Sequence, residues 1–153
     1  MSNANDPSDR TTRLRSLDEL DRALELMYYG PRGLTAAADA YLADYGFSRA
    51  HHRVLFVIAR APEIAVGELA RTLGVSNQAL HRPLRQLLAS GCVQALRDTT
   101  RHRRKLLDLT ELGRRVEHEA SEREREVLRA AFEAEPWARG GWLAVMARVA
   151  ENG

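Results

Sequence analysis

Residues 66–91 read Val-Gly-Glu-Leu-Ala-Arg-Thr-Leu-Gly-Val-Ser-Asn-Gln-Ala-Leu-His-Arg-Pro-Leu-Arg-Gln-Leu-Leu-Ala-Ser-Gly, and two short runs able to form strands follow, ending at Thr110. Glu68 to Leu73 predicts one short helix, with Leu69, Ala70 and Leu73 inward and Gly74 closing it. Ser76 is an N-cap residue, and the helix it opens runs to Ser90 before Gly91. Leu80, Leu84, Leu87 and Leu88 recur at helical spacing and form its inner stripe. Asn77, Gln78, His81, Arg82 and Arg85 are left outward, beside Ser76 at the helix start. Cys92–Leu96 and Lys105–Leu109 read as strands, and the polar stretch Asp98–Arg103 between them suits a projecting wing. The tip of that wing carries Arg101, His102, Arg103 and Arg104. A helix-turn-helix offers one helix to a major groove, and a basic hairpin beside it reaches the backbone or the minor groove. The implied partner is double-stranded DNA.

The charge distribution agrees. The net charge of the 153 residues is only +2, but His81–Arg115 holds nine Arg and Lys against three Asp and Glu. That stretch carries +6 and the remainder −4, which is the concentrated footprint expected for a nucleic acid partner. With 44% hydrophobic and 29% charged residues the composition is that of a folded globular chain. No apolar run approaches the roughly 20 residues of a membrane span. Met1–Thr12 has no apolar signal core, so the expected location is cytoplasmic, with no membrane partner.

Outward from the central motif, residues 1–13 read as a disordered arm and 14–47 as N-terminal dimerisation helices. Ser16-Leu-Asp-Glu19 matches a capping box, and Leu17, Leu20, Leu24, Met27 and Tyr28 follow at helical spacing. Gly30-Pro31-Arg32-Gly33 is expected to break or bend that element. After Gly46, Ser48 caps a helix with Val54, Leu55, Ile58 and Ala61 at core spacing, stopped by Pro62. The winged helix-turn-helix region is drawn as 48–113. Residues 114–153 form a C-terminal stalk and dimerisation helices. Glu117–Glu126 reads as polar on nearly every side, bridging through solvent, and Pro136 precedes an apolar helix with Trp142, Leu143, Met146 and Val149. That helix has no evident core of its own, which points to a second copy of the chain. The fold class is mainly α with a small β-wing: a winged helix-turn-helix DNA-binding lobe plus a helical dimerisation region.

The order and spacing of four segments resemble the MarR (multiple-antibiotic-resistance regulator) family. They are Gly46-Phe-Ser-Arg-Ala-His-His-Arg-Val-Leu55, Val66 to Ser76, Leu87-Leu-Ala-Ser-Gly-Cys-Val93, and Leu109-Thr-Glu-Leu-Gly113. The resemblance spans Ala40–Gly113. It implies a ligand-responsive repressor acting as a symmetric dimer, with DNA read by the Ser76–Ser90 helix and a wing arginine at Arg103. It also implies a small organic effector bound near the dimer helices, for which Tyr41, Tyr45, Phe47, His51 and His52 are the candidate lining. Two features depart from the family pattern. Arg101 stands where an Asp usually precedes the wing arginine, leaving Asp98 as the nearest substitute. Pro83 lies seven residues into the recognition helix, where it removes the donor to the Ala79 carbonyl and costs about 3 kcal/mol in a straight helix. A bend or an early end to regular helix bonding is expected there.

No metalloprotease motif, phosphate-cradling glycine loop or nucleophile elbow is present, so no catalytic residue, metal or cofactor is assigned. His51 and His52 splay about 100° apart on a helix and do not easily share a substrate or a metal ion; one is expected to pack and the other to be partly exposed. His118 and Glu122, four apart in the stalk, read as surface chemistry. Cys92, the single cysteine, reads as a small core residue rather than a redox sensor. The alternatives to a DNA-binding regulator are a winged-helix protein-interaction module and a metal- or redox-sensing regulator.

Overall fold

The computed structural model describes residues 7–100 and 104–153. Two compact units divide at Ala36–Ala37. The first is the leading part of helix α1, Pro7–Ala43. Here the structure corrects the sequence reading twice. The helix begins at Pro7 rather than after an arm of 13 residues, so Ser16 opens nothing. It also runs unbroken through Gly30–Gly33, with Pro31 inside it. Proline already has a helical φ, and residues 30–33 are all exposed, so no packed neighbour has to accommodate the ring. Leu20, Leu24, Leu26, Met27, Tyr28 and Tyr29 are all exposed along this segment.

The second unit starts with the end of α1, where Ala38 and Leu42 are fully buried. Gly46, at φ 72°, turns the chain in a conformation that side-chain-bearing residues avoid. Then come α2 (Arg49–Arg60), β1 (Ile64–Ala65), α3 (Val66–Leu73), α4 (Asn77–Ala89), β2 (Val93–Arg97), β3 (Lys105–Leu109), α5 (Glu111–Ala134) and α6 (Ala138–Ala150). The sheet is antiparallel in the order β1-β3-β2. Strand β1 went unread in the sequence. Its pairs Ile64–Leu107 and Ala65–Leu106 tie the root of the wing to the start of α3.

One core holds the unit together. Leu42, Leu55, Ile58, Leu69, Leu80, Leu87, Leu107 and Leu109 are fully enclosed, each contributing about 1.5–3 kcal/mol relative to an exposed side chain. Cys92 belongs to the same cluster, as expected. Thr110 caps α5 by accepting from the Gly113 N–H at 3.1 Å, and its own N–H donates to the Cys92 carbonyl at 3.1 Å. The chain passes so close that a Cβ on Gly113 would lie 1.9 Å from that carbonyl oxygen. Only glycine fits.

The stalk is a third correction. The far half of α5 is largely exposed, but Val116, Glu117, Ala120 and Ser121 are buried. The polar pair is inward because α2 supplies polar partners: Arg60 meets Glu117 at 3.2 Å and His52 meets Ser121 at 3.1 Å. Both histidines of the 51–52 pair are therefore buried, and neither is partly exposed. At the far end of α5, Phe132 meets Trp142 of α6 edge to face, with ring centres 5.5 Å apart.

Candidate nucleic-acid interface

Helix α4 forms because its ends are marked and its faces are unlike. Ser76 Oγ accepts from the Ala79 N–H at 3.1 Å, satisfying one of the donors a helix start leaves open. Leu80, Leu84 and Leu87 face the core. Leu88 does not join them: it is 37% exposed, flanking the stripe rather than extending it. Regular helix runs from Asn77 to Ala89 with Pro83 inside, so the proline does not end it early.

Asn77, Gln78, His81, Arg82 and Arg85 are all exposed, as the sequence spacing required. Gln78, Arg82 and Arg85 fall at i, i+4 and i+7, and so line one face of the helix. Among the described residues, none of the five side chains has a hydrogen-bond or ion-pair partner. Donors held on a capped helix without an intramolecular partner suit the acceptor-rich base edges of a major groove and the flanking phosphates.

The wing is more divided. Arg101, His102 and Arg103 lie outside the described residues. The Arg104 guanidinium meets Glu68 Oε2 at 3.0 Å, and the same oxygen accepts from the Ala65 N–H at 3.3 Å. Arg104 thus braces the wing root against α3. Asp98 accepts from the Thr100 N–H at 2.8 Å and from its hydroxyl at 2.6 Å, which shapes the turn.

Two residues not singled out from sequence emerge from the strand register. Arg97 and Lys105 stand directly opposite each other at the outer end of β2 and β3, both exposed. Like charges across a strand pair destabilise it, so this confrontation does not help to hold the two strands together. Composition alone does not reveal the pair, because pairing depends on register.

The residues nominated for an effector form a row of rings. Tyr41 and Tyr45 meet edge to face at 5.4 Å, Tyr45 stacks on Phe47 at 6.0 Å, and Phe47 stacks on His51 at 5.0 Å. The Arg123 guanidinium sits 4.2 Å from the centre of the Tyr41 ring. Burial and the hydrogen bond with Tyr45 push the Tyr41 hydroxyl up to about 12. His52 leaves the row: its Nε2 faces Ser121 Oγ and its Nδ1 lies 3.4 Å from Glu124. Burial raises the Glu124 carboxyl above the usual carboxylate range, an effect His52 partly opposes. In contrast, Arg125 and Arg129 hold the half-buried Glu122 carboxyl below that range.

The MarR family model matches residues 45–105, from just before α2 to the first residue of β3. Over 147 residues the chain is 35% identical to the HTH-type transcriptional regulator PetP of Rhodobacter capsulatus, an alignment covering 95% of this chain and 89% of that protein. The chain therefore belongs to the MarR family of winged helix-turn-helix, DNA-binding transcriptional regulators, and it is not an enzyme. Solved structures share the fold. Streptococcus pneumoniae FabT in complex with DNA superposes with a TM-score of 0.75 at 17% identity, covering 87% of this chain and 98% of that one. NadR in complex with 4-hydroxyphenylacetate gives 0.69 at 22% identity, covering 82% and 87%. Among the described residues no helix is long and apolar enough to cross a membrane.

Proposed function

We propose that the chain is a ligand-responsive repressor that binds an operator as a homodimer, reading bases with α4 and gripping the backbone with the wing. The observation that carries this reading is the free outward face of α4: five polar side chains with no partner among the described residues. Gln78, His81 and Arg82 choose the sequence, with Asn77 and Ser76 at the helix start. Arg85, Arg97, Lys105 and the wing-tip residues Arg101, His102 and Arg103 serve the phosphates or the minor groove, while Arg104 braces the wing root against α3. The DNA in the FabT complex supports the same use of a shared fold. A protein-interaction version of the winged helix would favour apolar residues on that face, and α4 offers none among the five.

Pairing is supported by two apolar surfaces, described separately. Leu20, Leu24 and Met27 are exposed on α1, and Trp142, Leu143, Val145 and Val149 on α6. A two-fold dimer places its α4 helices in successive major grooves, so the operator is an imperfect palindrome with half-sites about 10 base pairs apart. The effector is a small organic molecule engaging the ring row Tyr41–Tyr45–Phe47–His51, with His52 at its border. The aromatic acid bound by NadR supports screening that class first. The full inclusion of Cys92 in the core argues against a redox role, and the protein acts in the cytoplasm, beside its DNA. Selection from a random DNA pool tests the reading. The expected result is a palindromic site whose tight binding is lost on inserting about 5 base pairs between half-sites. Full affinity on the inserted site refutes the rigid dimer.

A further inference from the structure

Helix α4 rests on the core through leucines, which bury its inner face but supply no directional contact of their own. A directional contact is present elsewhere. His51, in the first turn of α2, reaches Gln86 in the third turn of α4, with Nε2 and Oε1 2.8 Å apart. The other ring nitrogen settles the direction of this bond. The Ser48 N–H donates to His51 Nδ1 at 2.9 Å, so Nδ1 carries a lone pair, the ring proton sits on Nε2, and Nε2–H donates to Gln86. Phe47, stacked on the same imidazole at 5.0 Å, holds the ring plane.

We propose that His51 is a positioning residue for DNA reading: through Gln86 it sets the rotation of α4. The inference rests on the DNA-binding function of α4. Gln86 lies just beyond Pro83, where the missing N–H leaves the helix without its bond to the Ala79 carbonyl. The contact therefore secures the part of α4 that its own backbone secures least. With side chains reaching about 5–6 Å from the helix axis, a rotation of about 10° displaces their tips by about 1 Å. That is enough to spoil a hydrogen bond to a base edge. A contact to phosphate from a long arginine absorbs the same shift. Losing the His51–Gln86 bond thus weakens binding to the preferred site and leaves binding to random DNA nearly as it was.

The test uses the full chain, its selected DNA site and a random duplex of equal length at fixed salt. His51→Leu and Gln86→Met each weaken binding to the selected site by about 3- to 10-fold, the range of one hydrogen bond, with random DNA within about twofold of wild type. The double variant is no weaker than the worse single, because both remove one interaction. His51→Gln, whose amide keeps a donor, recovers most of the affinity. Gln86 is exposed, so Gln86→Met reports even where the buried His51→Leu fails to fold. Wild-type affinity in Gln86→Met, or multiplying losses in the double variant, overturns the proposal while the DNA reading stands. A wild-type chain with no sequence preference overturns both.

Discussion

Replacing Arg97 and Lys105 together by Gln should stabilise the fold and weaken its grip on DNA, two opposite effects from one change. The two residues are cross-strand partners at the exposed end of β2 and β3, where like charges face each other. Removing that repulsion is worth roughly 0.2–1 kcal/mol, a rise of a few degrees at most in Tm for a domain of this size. If each residue neutralises one phosphate, a dimer loses four such contacts. The slope of log K against log salt then falls by about 3.6, at about 0.9 per phosphate. Between 50 and 200 mM salt, a fourfold rise, the wild type should lose about 150-fold more affinity than the variant. Anisotropy titrations across that salt range, with melting curves of the same samples, read both effects. A lower Tm with an unchanged slope would refute the assignment and make the pair structural. Both side chains are exposed, so replacing them by polar, uncharged glutamine removes little packing and the change in slope reads charge.

Three further outcomes follow from the same structure. Gly113→Ala places a Cβ 1.9 Å from the Cys92 carbonyl oxygen, with main chain on both sides, so α5 and the root of β2 must part. We expect a loss of about 3 kcal/mol or more, read by urea unfolding; an unchanged midpoint would show that the close approach is not real. Deleting residues 136–153 removes the exposed apolar α6 and should abolish dimers in sedimentation equilibrium, whereas a persisting stable dimer would move the interface elsewhere. Glu124 carries a raised carboxyl pKa from burial, so the folded state binds its proton more tightly than the unfolded state does. Its charged form costs stability above the raised value, and that cost fades as pH falls towards the ordinary carboxylate range near about pH 4. Glu124→Gln should therefore stabilise the protein at neutral pH and lose that advantage in acid; a gain that grows in acid would reverse the sign and sink the argument.

What the sequence disclosed was whatever short-range rules decide. Ser76, Gly74 and the leucines of α4 define a capped, one-sided helix from local spacing, and all five outward residues emerged exposed. The start of α2 after Ser48 and its stop before Pro62 were legible for the same reason. Features set by distant partners were not. Two-residue β1 has no periodicity to read and exists because Leu106 and Leu107 lie beside it. Glu117 and Ser121 looked like surface residues because their partners, Arg60 and His52, are 57 and 69 positions away. At Gly30–Gly33 the local cost of glycine and proline was legible, but that cost did not end the helix. Arg97 and Lys105 were visible as charges, while their confrontation depended on register.

The adjacent histidines show why such long-range features bear on function. Their 100° splay, which makes a shared metal ion difficult, lets α2 reach in two directions at once. His51 donates to Gln86 on the DNA-reading helix, and His52 Nε2 donates to Ser121 on α5. The Ser121 hydroxyl in turn donates to Glu117 at 2.7 Å, and Arg60 of α2 closes the circuit onto the same carboxylate oxygen. Val54, Leu55 and Ile58 pack α2 into the core, and these hydrogen bonds add directional contacts on either side of that packing. Helix α2 is therefore tied by directional contacts to both α4 and α5 through neighbouring residues on a single turn.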